Sequence, residues 1–104
     1  MANRILIVED NETLRAGMKV YLEDAGFSVH EAATGMEAVR KLESENYPVV
    51  VSDIKLGDLT GVDILKKAKE VNSKTEVILM TAYATVETAV QALRLGAFDY
   101  IQKP

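Results

Sequence analysis

The sequence predicts a doubly wound α/β fold, a five-stranded parallel sheet with helices on both faces. Three observations carry that prediction. Short apolar runs alternate with longer amphipathic stretches along the chain. The runs are continuous and β-favouring, as expected of strands buried on both faces. Four of them also end in a reactive polar residue: Arg4–Val8 in Glu9 and Asp10, 48–52 in Asp53, 77–80 in Thr81, and 100–102 in Lys103. Alternating strands and helices imply right-handed crossovers between parallel strands. Ligands of such sheets bind at the carboxyl ends of the strands, where the strand order reverses. The four polar ends are therefore expected to share one edge.

Ile5, Leu6, Ile7 and Val8 read as the first central strand. Leu14, Met18, Tyr21, Leu22 and Ala25 then recur at helical spacing, and Gly26 stands where a left-handed cap ends a helix. Residues 27–32 read as a second strand. Thr34 with Glu37 three residues on fits a capping box, opening a helix that buries Ala38, Val39 and Leu42 and stops before Pro48. Proline can begin the next strand but cannot continue the helix. After Asp53, the glycines and polar turn formers of 55–61 predict a loop over the strand ends. A third helix follows with Ile64, Leu65, Ala68 and Val71 inward, then the strand at 77–80. A fourth helix covers about 85–95, with Val86, Ala89, Val90 and Leu93 on one face and Gly96 as its cap. A last strand covers roughly 99–101.

Composition limits the function classes. A chain of 104 residues, 48% hydrophobic, suits one domain with one core. Its net charge of −4 gives no electrostatic footprint for a nucleic-acid backbone, so direct nucleic-acid binding is not expected. Without cysteine there is no disulfide framework and no thiolate metal site, and the lone His30 builds no histidine cluster. His30 reads as a plain strand residue with no partner type nearby in sequence. No apolar run approaches the roughly 20 residues that span a bilayer, so a soluble, untargeted, cytoplasmic protein with no membrane partner is expected.

Glu9, Asp10 and Asp53 would bring three carboxylates together, and like charges so close resist ionisation unless a cation joins them. With oxygen ligands alone, Mg²⁺ or Mn²⁺ is favoured. An aspartate beside such an ion can attack phosphorus and form an aspartyl phosphate, and Asp53 at the end of the middle strand is the expected acceptor. Lys103 supplies a point charge for the phosphoryl oxygens and Thr81 a hydroxyl donor. Taken singly, each residue has a plainer explanation. The Glu9-Asp10 pair can cap the following helix, Thr81 can be an ordinary strand threonine, and Lys103 a solvated charge. Their joint occurrence at four strand ends favours a site.

These residues also carry a family resemblance. The motifs Ile5 to Asp10 (ILIVED), Val51 to Asp53 (VSD), Met80 to Ala82 (MTA) and Lys103-Pro104 together resemble the receiver domain of two-component response regulators. The segment 80–104 is similar to receivers of NtrC-like transcription activators. The resemblance implies a flavodoxin-like sheet of order 2-1-3-4-5 in a receiver domain occupying 1–104. It implies phosphorylation of Asp53 by a histidine kinase, with Mg²⁺ held by Asp10 and Asp53, by Glu9 through water, and by the backbone carbonyl of Lys55. Thr81 and Lys103 would contact the phosphoryl group, Ala82 would leave room for the donor, and Thr81 and Tyr100 would form the switch. Signal output would run through the fourth helix and last strand, with transcription regulated in a longer parent protein.

The sequence departs from the family in several places. Gly57 stands where family members often have proline, which implies a more mobile loop. By the resemblance, Lys55 and Tyr83 occupy positions that would tune hydrolysis of the acyl phosphate. Receivers continue beyond the Lys-Pro pair into a fifth helix, whereas this sequence stops at Pro104. A lost helix would expose an apolar sheet face and either lower stability or favour a homodimer or swapped oligomer. Other classes are less consistent with the residues. Aspartyl phosphatases carry their acidic motif after the first strand, and no glycine-rich phosphate loop is present for a nucleotide. The runner-up is a pseudo-receiver, a protein-binding module without phosphorylation.

Overall fold

A computed structural model describes residues 3–82 and 85–103. Tyr83 and Pro104, singled out above, lie outside the described residues. Five strands, β1 (Arg4–Val8), β2 (Ser28–Ala32), β3 (Val49–Asp53), β4 (Glu76–Thr81) and β5 (Asp99–Gln102), alternate with four helices. These are α1 (Glu12–Asp24), α2 (Gly35–Ser44), α3 (Gly61–Val71) and α4 (Val86–Arg94). The strands pair in parallel in the order β2-β1-β3-β4-β5, the flavodoxin-like arrangement with no fifth helix among the described residues. The chain turns one way from β1 to β2 and the other way to β3, so the order reverses between β1 and β3.

Both sheet faces are apolar because the inner strands alternate between two cores. Leu6, Val8, Val50, Val77 and Leu79 pack with Ile64, Leu65 and Ala68 of α3 and Ala38 and Leu42 of α2. Ile5, Ile7, Val29, Val51 and Met80 form the opposite cluster, joined by Met18 and Leu22 of α1. Gly26 and Gly96 follow α1 and α4 with φ of 99° and 101°, the left-handed region that ends a helix without a Cβ clash.

Some sequence expectations are corrected. Tyr21, placed inward by periodicity, is 75% exposed, and α1 buries no residue fully. This helix lies over β1 and β2, and its Met18–Leu22 stripe makes the apolar contact with the sheet. Val71 at the end of α3 is also exposed. The stripe of Val86, Val90 and Leu93 on α4 faces outward, and the small Ala92 takes the buried position. The predicted capping box of α2 forms by half. Thr34 accepts the Glu37 N–H, but the Glu37 side chain takes the N–H of Ala33, one residue before the cap.

His30 does have partners, supplied from far along the chain. Its Nδ1 lies 2.7 Å from the hydroxyl of the buried Tyr47 and 3.4 Å from Glu45 Oε2. Burial first, then the charge and hydrogen bond of Glu45, push the Tyr47 phenol up from 10.0 to about 12, against a smaller opposing pull from Arg4. A raised folded pKa favours the neutral phenol in the fold. Its stabilising contribution is fully present below pH 10.0 and is lost as pH climbs through about 12. A difference titration by ultraviolet absorbance between the wild type and Tyr47→Phe should place the missing phenol near pH 12. A missing phenol that titrates at the ordinary tyrosine value would contradict this packing.

Candidate functional site

Glu9 follows β1 and is wholly buried. The plainer reading of Glu9 and Asp10 as a helix cap does not hold, because Asn11 caps α1: its side chain accepts the N–H of Leu14 at 2.9 Å. The Asn11 N–H in turn donates to Glu9 Oε2 at 3.0 Å. Arg15, one turn into α1, donates to the Glu9 backbone carbonyl at 2.8 Å. None of these three contacts was foreseen from the sequence, although an Asn three residues before Leu14 carried a recognisable capping signal.

Asp53 closes β3 and is 7% exposed. The N–H of Lys55 donates to its Oδ1 at 3.3 Å, and the N–H of Ile54 donates to the Met80 carbonyl at 2.8 Å. Gly61, the first residue of α3, lies against the backbone of Asp53. A Cβ there would stand 2.6 Å from the Asp53 carbonyl oxygen and 3.0 Å from Ile54 Cα. The sequence reading placed Gly61 in the loop and missed this close approach. It also missed the capping box of Thr60 with Asp63, where an aspartate takes the usual glutamate's place.

Thr81 ends β4 and is buried. The Lys103 N–H donates to the Thr81 carbonyl at 2.7 Å, fixing the end of β5 beside β4. From there the Lys103 ammonium reaches Asp53 Oδ2 at 2.8 Å and Glu9 Oε1 at 2.6 Å. The contact to Glu9 Oε1 is an ion pair without the alignment of a hydrogen bond. Burial opposes the lysine charge, but the hydrogen bond to Asp53 and Coulomb attraction from Asp53 and Glu9 outweigh it and hold the pKa above 10.5. Lys103 is therefore a fixed cation at neutral pH.

Glu9, Asp10 and Asp53 each offer a carboxylate oxygen, and the three oxygens lie within 4.8 Å of one another. Asp10 is the exposed member. With the carboxylates ionised, three negative charges meet the one ammonium of Lys103, leaving a formal −2. An all-oxygen set with that surplus fits a hard divalent cation. Asp10, Asp53, Lys55, Thr81, Ala82 and Lys103 line one cleft of about 260 Å³. Tyr100 stands apart from this cleft. It is half-buried on β5, and its hydroxyl lies 2.7 Å from Thr88 Oγ1 on α4.

A parallel sheet of this order, with acidic residues at the β1/β3 switch point and a lysine at the end of β5, defines a receiver-type signalling module. The response regulator receiver domain family matches residues 5–104, and the chain belongs to that family. It is similar to the regulatory protein AtoC of Escherichia coli (strain K12), 44% identical over 102 residues that make up 98% of this chain and 22% of AtoC. It also resembles the receiver domain dimer of beryllofluoride-activated NtrC4, with TM-score 0.92 and 34% identity over 100% of this chain and 85% of that one. A response regulator protein from Burkholderia pseudomallei, with a phosphorylated aspartic acid, calcium ion and citrate, gives TM-score 0.92 at 28% identity. That match covers 98% of this chain and 60% of the other. The likeness to AtoC and NtrC4 agrees with the NtrC-like resemblance in the motifs.

Gly61→Ala should lower stability by about 1–3 kcal/mol, because the added methyl meets backbone that cannot rotate away. Urea denaturation of the two proteins checks this. Equal or higher stability in the variant would show that the Asp53 backbone has room to give.

Proposed function

We propose that residues 1–104 form a receiver domain that works as a phosphorylation-controlled switch, with Asp53 as the acceptor and a histidine kinase as the donor. The observation that carries this reading is the buried triangle of Lys103, Asp53 and Glu9 at the open sheet edge, with Asp10 beside it. In the transfer, an Asp53 carboxylate oxygen attacks the phosphorus of a kinase phosphohistidine. The new P–O bond forms as the P–N bond breaks, and the imidazole leaves with the bonding pair and takes a proton from solvent. The Lys103 ammonium, already in contact with Asp53, neutralises charge gathering on the phosphoryl oxygens. The Thr81 hydroxyl donates to one of those oxygens. Ala82, small and exposed at the mouth of the cleft, leaves room for the donor.

Mg²⁺ or Mn²⁺, held by Asp10 and Asp53, by Glu9 through water and by the Lys55 carbonyl, would supply further neutralisation of the phosphoryl oxygens. The calcium ion of the Burkholderia protein supports a divalent cation in this family. The chain is a signalling module that turns over no substrate and acts in the cytoplasm.

Movement of Thr81 toward the phosphoryl group draws the Tyr100 ring with it and shifts the population of an active state. Tyr100 is hydrogen-bonded to Thr88, so the shift passes to α4. There Val86, Val90 and Leu93, with Phe98 before β5, present an exposed apolar surface. A second copy of the chain is the partner this surface suits, as the NtrC4 receiver dimer suggests, and transcription is the output in a longer parent.

Incubation with Mg²⁺ and a small phosphodonor such as phosphoramidate, followed by intact-mass measurement, should add one phosphoryl group to the wild type and none to Asp53→Asn. Undiminished labelling of Asp53→Asn would sink the assignment, and a wild type that takes no label would leave a binding module without phosphotransfer. Light scattering on the labelled wild type should reveal a dimer. A labelled chain that stays monomeric at all concentrations would rule out the second copy as partner.

A further inference from the structure

The loop from Lys55 to Thr60 reaches the cleft at Asp53 through Lys55 and lines along its length a neighbouring cleft of about 430 Å³ that shares Asp10 and Lys55 with it. Its root is held by the Lys55 N–H on Asp53 Oδ1 and by Leu56, 4% exposed in the core. Its far end is held by the Thr60–Asp63 capping box. Between them stands Gly57, exposed, with φ of 88° and open space where a Cβ would stand. Proline is locked near −65° and cannot adopt that angle, so this loop is not stiffened as a proline-bearing loop would be.

The stiffening comes from across the fold. Asp58 Oδ1 accepts the N–H of Gly35 at 2.9 Å and Oδ2 accepts that of Met36 at 2.9 Å. Oδ1 also accepts the N–H of Leu59, in the same loop, at 2.8 Å. One carboxylate thus joins the loop tip to the first two residues of α2, 23 and 22 positions earlier. The contact is tight on the other side as well. A Cβ on Gly35 would lie 2.6 Å from Leu59 Cβ and 3.0 Å from Asp58 Oδ1, so only glycine lets the loop close onto the helix.

We propose that Asp58, seated on Gly35, is a positioning residue that sets the Lys55 segment for the divalent cation and so tunes cation affinity and phosphoryl acceptance at Asp53. This rests on the reading of the site as a cation-dependent phosphoacceptor. Asp58 does not touch the acidic cluster. It acts through the loop, where two residues separate it from Lys55. The bonds from Gly61 N–H to the Ile54 carbonyl at 2.8 Å and from Leu56 N–H to the Leu59 carbonyl at 3.3 Å carry the tip position back to either side of Lys55.

The test compares the wild type with Asp58→Asn, which keeps one acceptor oxygen, and Asp58→Ala, which keeps none. Amide hydrogen exchange at Gly35 and Met36 reads the clamp, and calorimetric titration with Mg²⁺ reads the site. Exchange should quicken and the Mg²⁺ Kd should rise in the order Asp, Asn, Ala, by about 10-fold for alanine. Gly35→Ala, which pushes the loop away and leaves the carboxylate intact, should weaken Mg²⁺ in the same direction. Faster exchange with an unchanged Mg²⁺ Kd would overturn the proposal and leave Asp58 as a helix cap. A wild type that binds no Mg²⁺ and takes no phosphoryl label would instead mark failure of the underlying reading, whatever the exchange data.

Discussion

Two buried carboxylates held by one ammonium are the constraint on which the rest of the site depends. Glu9 is wholly buried and Asp53 nearly so, and each would be strongly disfavoured as an anion in that position without a counter-charge. Lys103 meets both from the end of β5, the last strand of the sheet. Removing one partner from such a buried pair typically costs about 3–5 kcal/mol, because the other charge is left stranded. The ammonium therefore ties the sheet's outer strand to its centre, and the same contact places a cation where phosphoryl charge would accumulate. A structural and a chemical requirement are met by one side chain.

The sheet was legible in the sequence because its inner strands are buried on both faces and so read as unbroken apolar runs. The acidic cluster was legible for a related reason: parallel strands bring their carboxyl ends to one edge, so Glu9, Asp10, Asp53, Thr81 and Lys103 could be grouped without knowing any contact. What escaped depended on pairings between distant elements. His30 looked partnerless because Tyr47 lies 17 residues away. The Asp58 clamp joins a loop to a helix start 23 residues earlier, and no local pattern announces it. Helical periodicity also overstated burial. Apolar spacing in α1 and α4 marked a face correctly but did not say whether the sheet covers it, and Tyr21, Val86 and Leu93 face solvent.

The outward apolar face of α4 has a dynamic consequence. Only Ala92 of its nine residues is fully buried, so little apolar area holds the helix in place. Its N-terminus is secured mainly by hydroxyls. Thr85 and Thr88 cap each other, and Thr88 meets Tyr100 as well. A weakly anchored helix whose cap is hydrogen-bonded to Tyr100 is the kind of element that a few kcal/mol of ligand binding can move. By contrast α3, with Ile64, Leu65 and Ala68 in the core and Gly61 pressed on Asp53, is suited to hold Asp53 still.

Charge at this sheet edge is neutralised jointly by the Lys103 ammonium and a divalent cation held by the three carboxylates, if the donor set works as its chemistry dictates. Thermal melting of the wild type and Lys103→Met across a Mg²⁺ series separates the two contributions. Mg²⁺ should raise Tm in both proteins and raise it more in Lys103→Met, where three carboxylates face the cation without the Lys103 ammonium. Melting curves that ignore Mg²⁺ in both proteins would contradict the joint neutralisation.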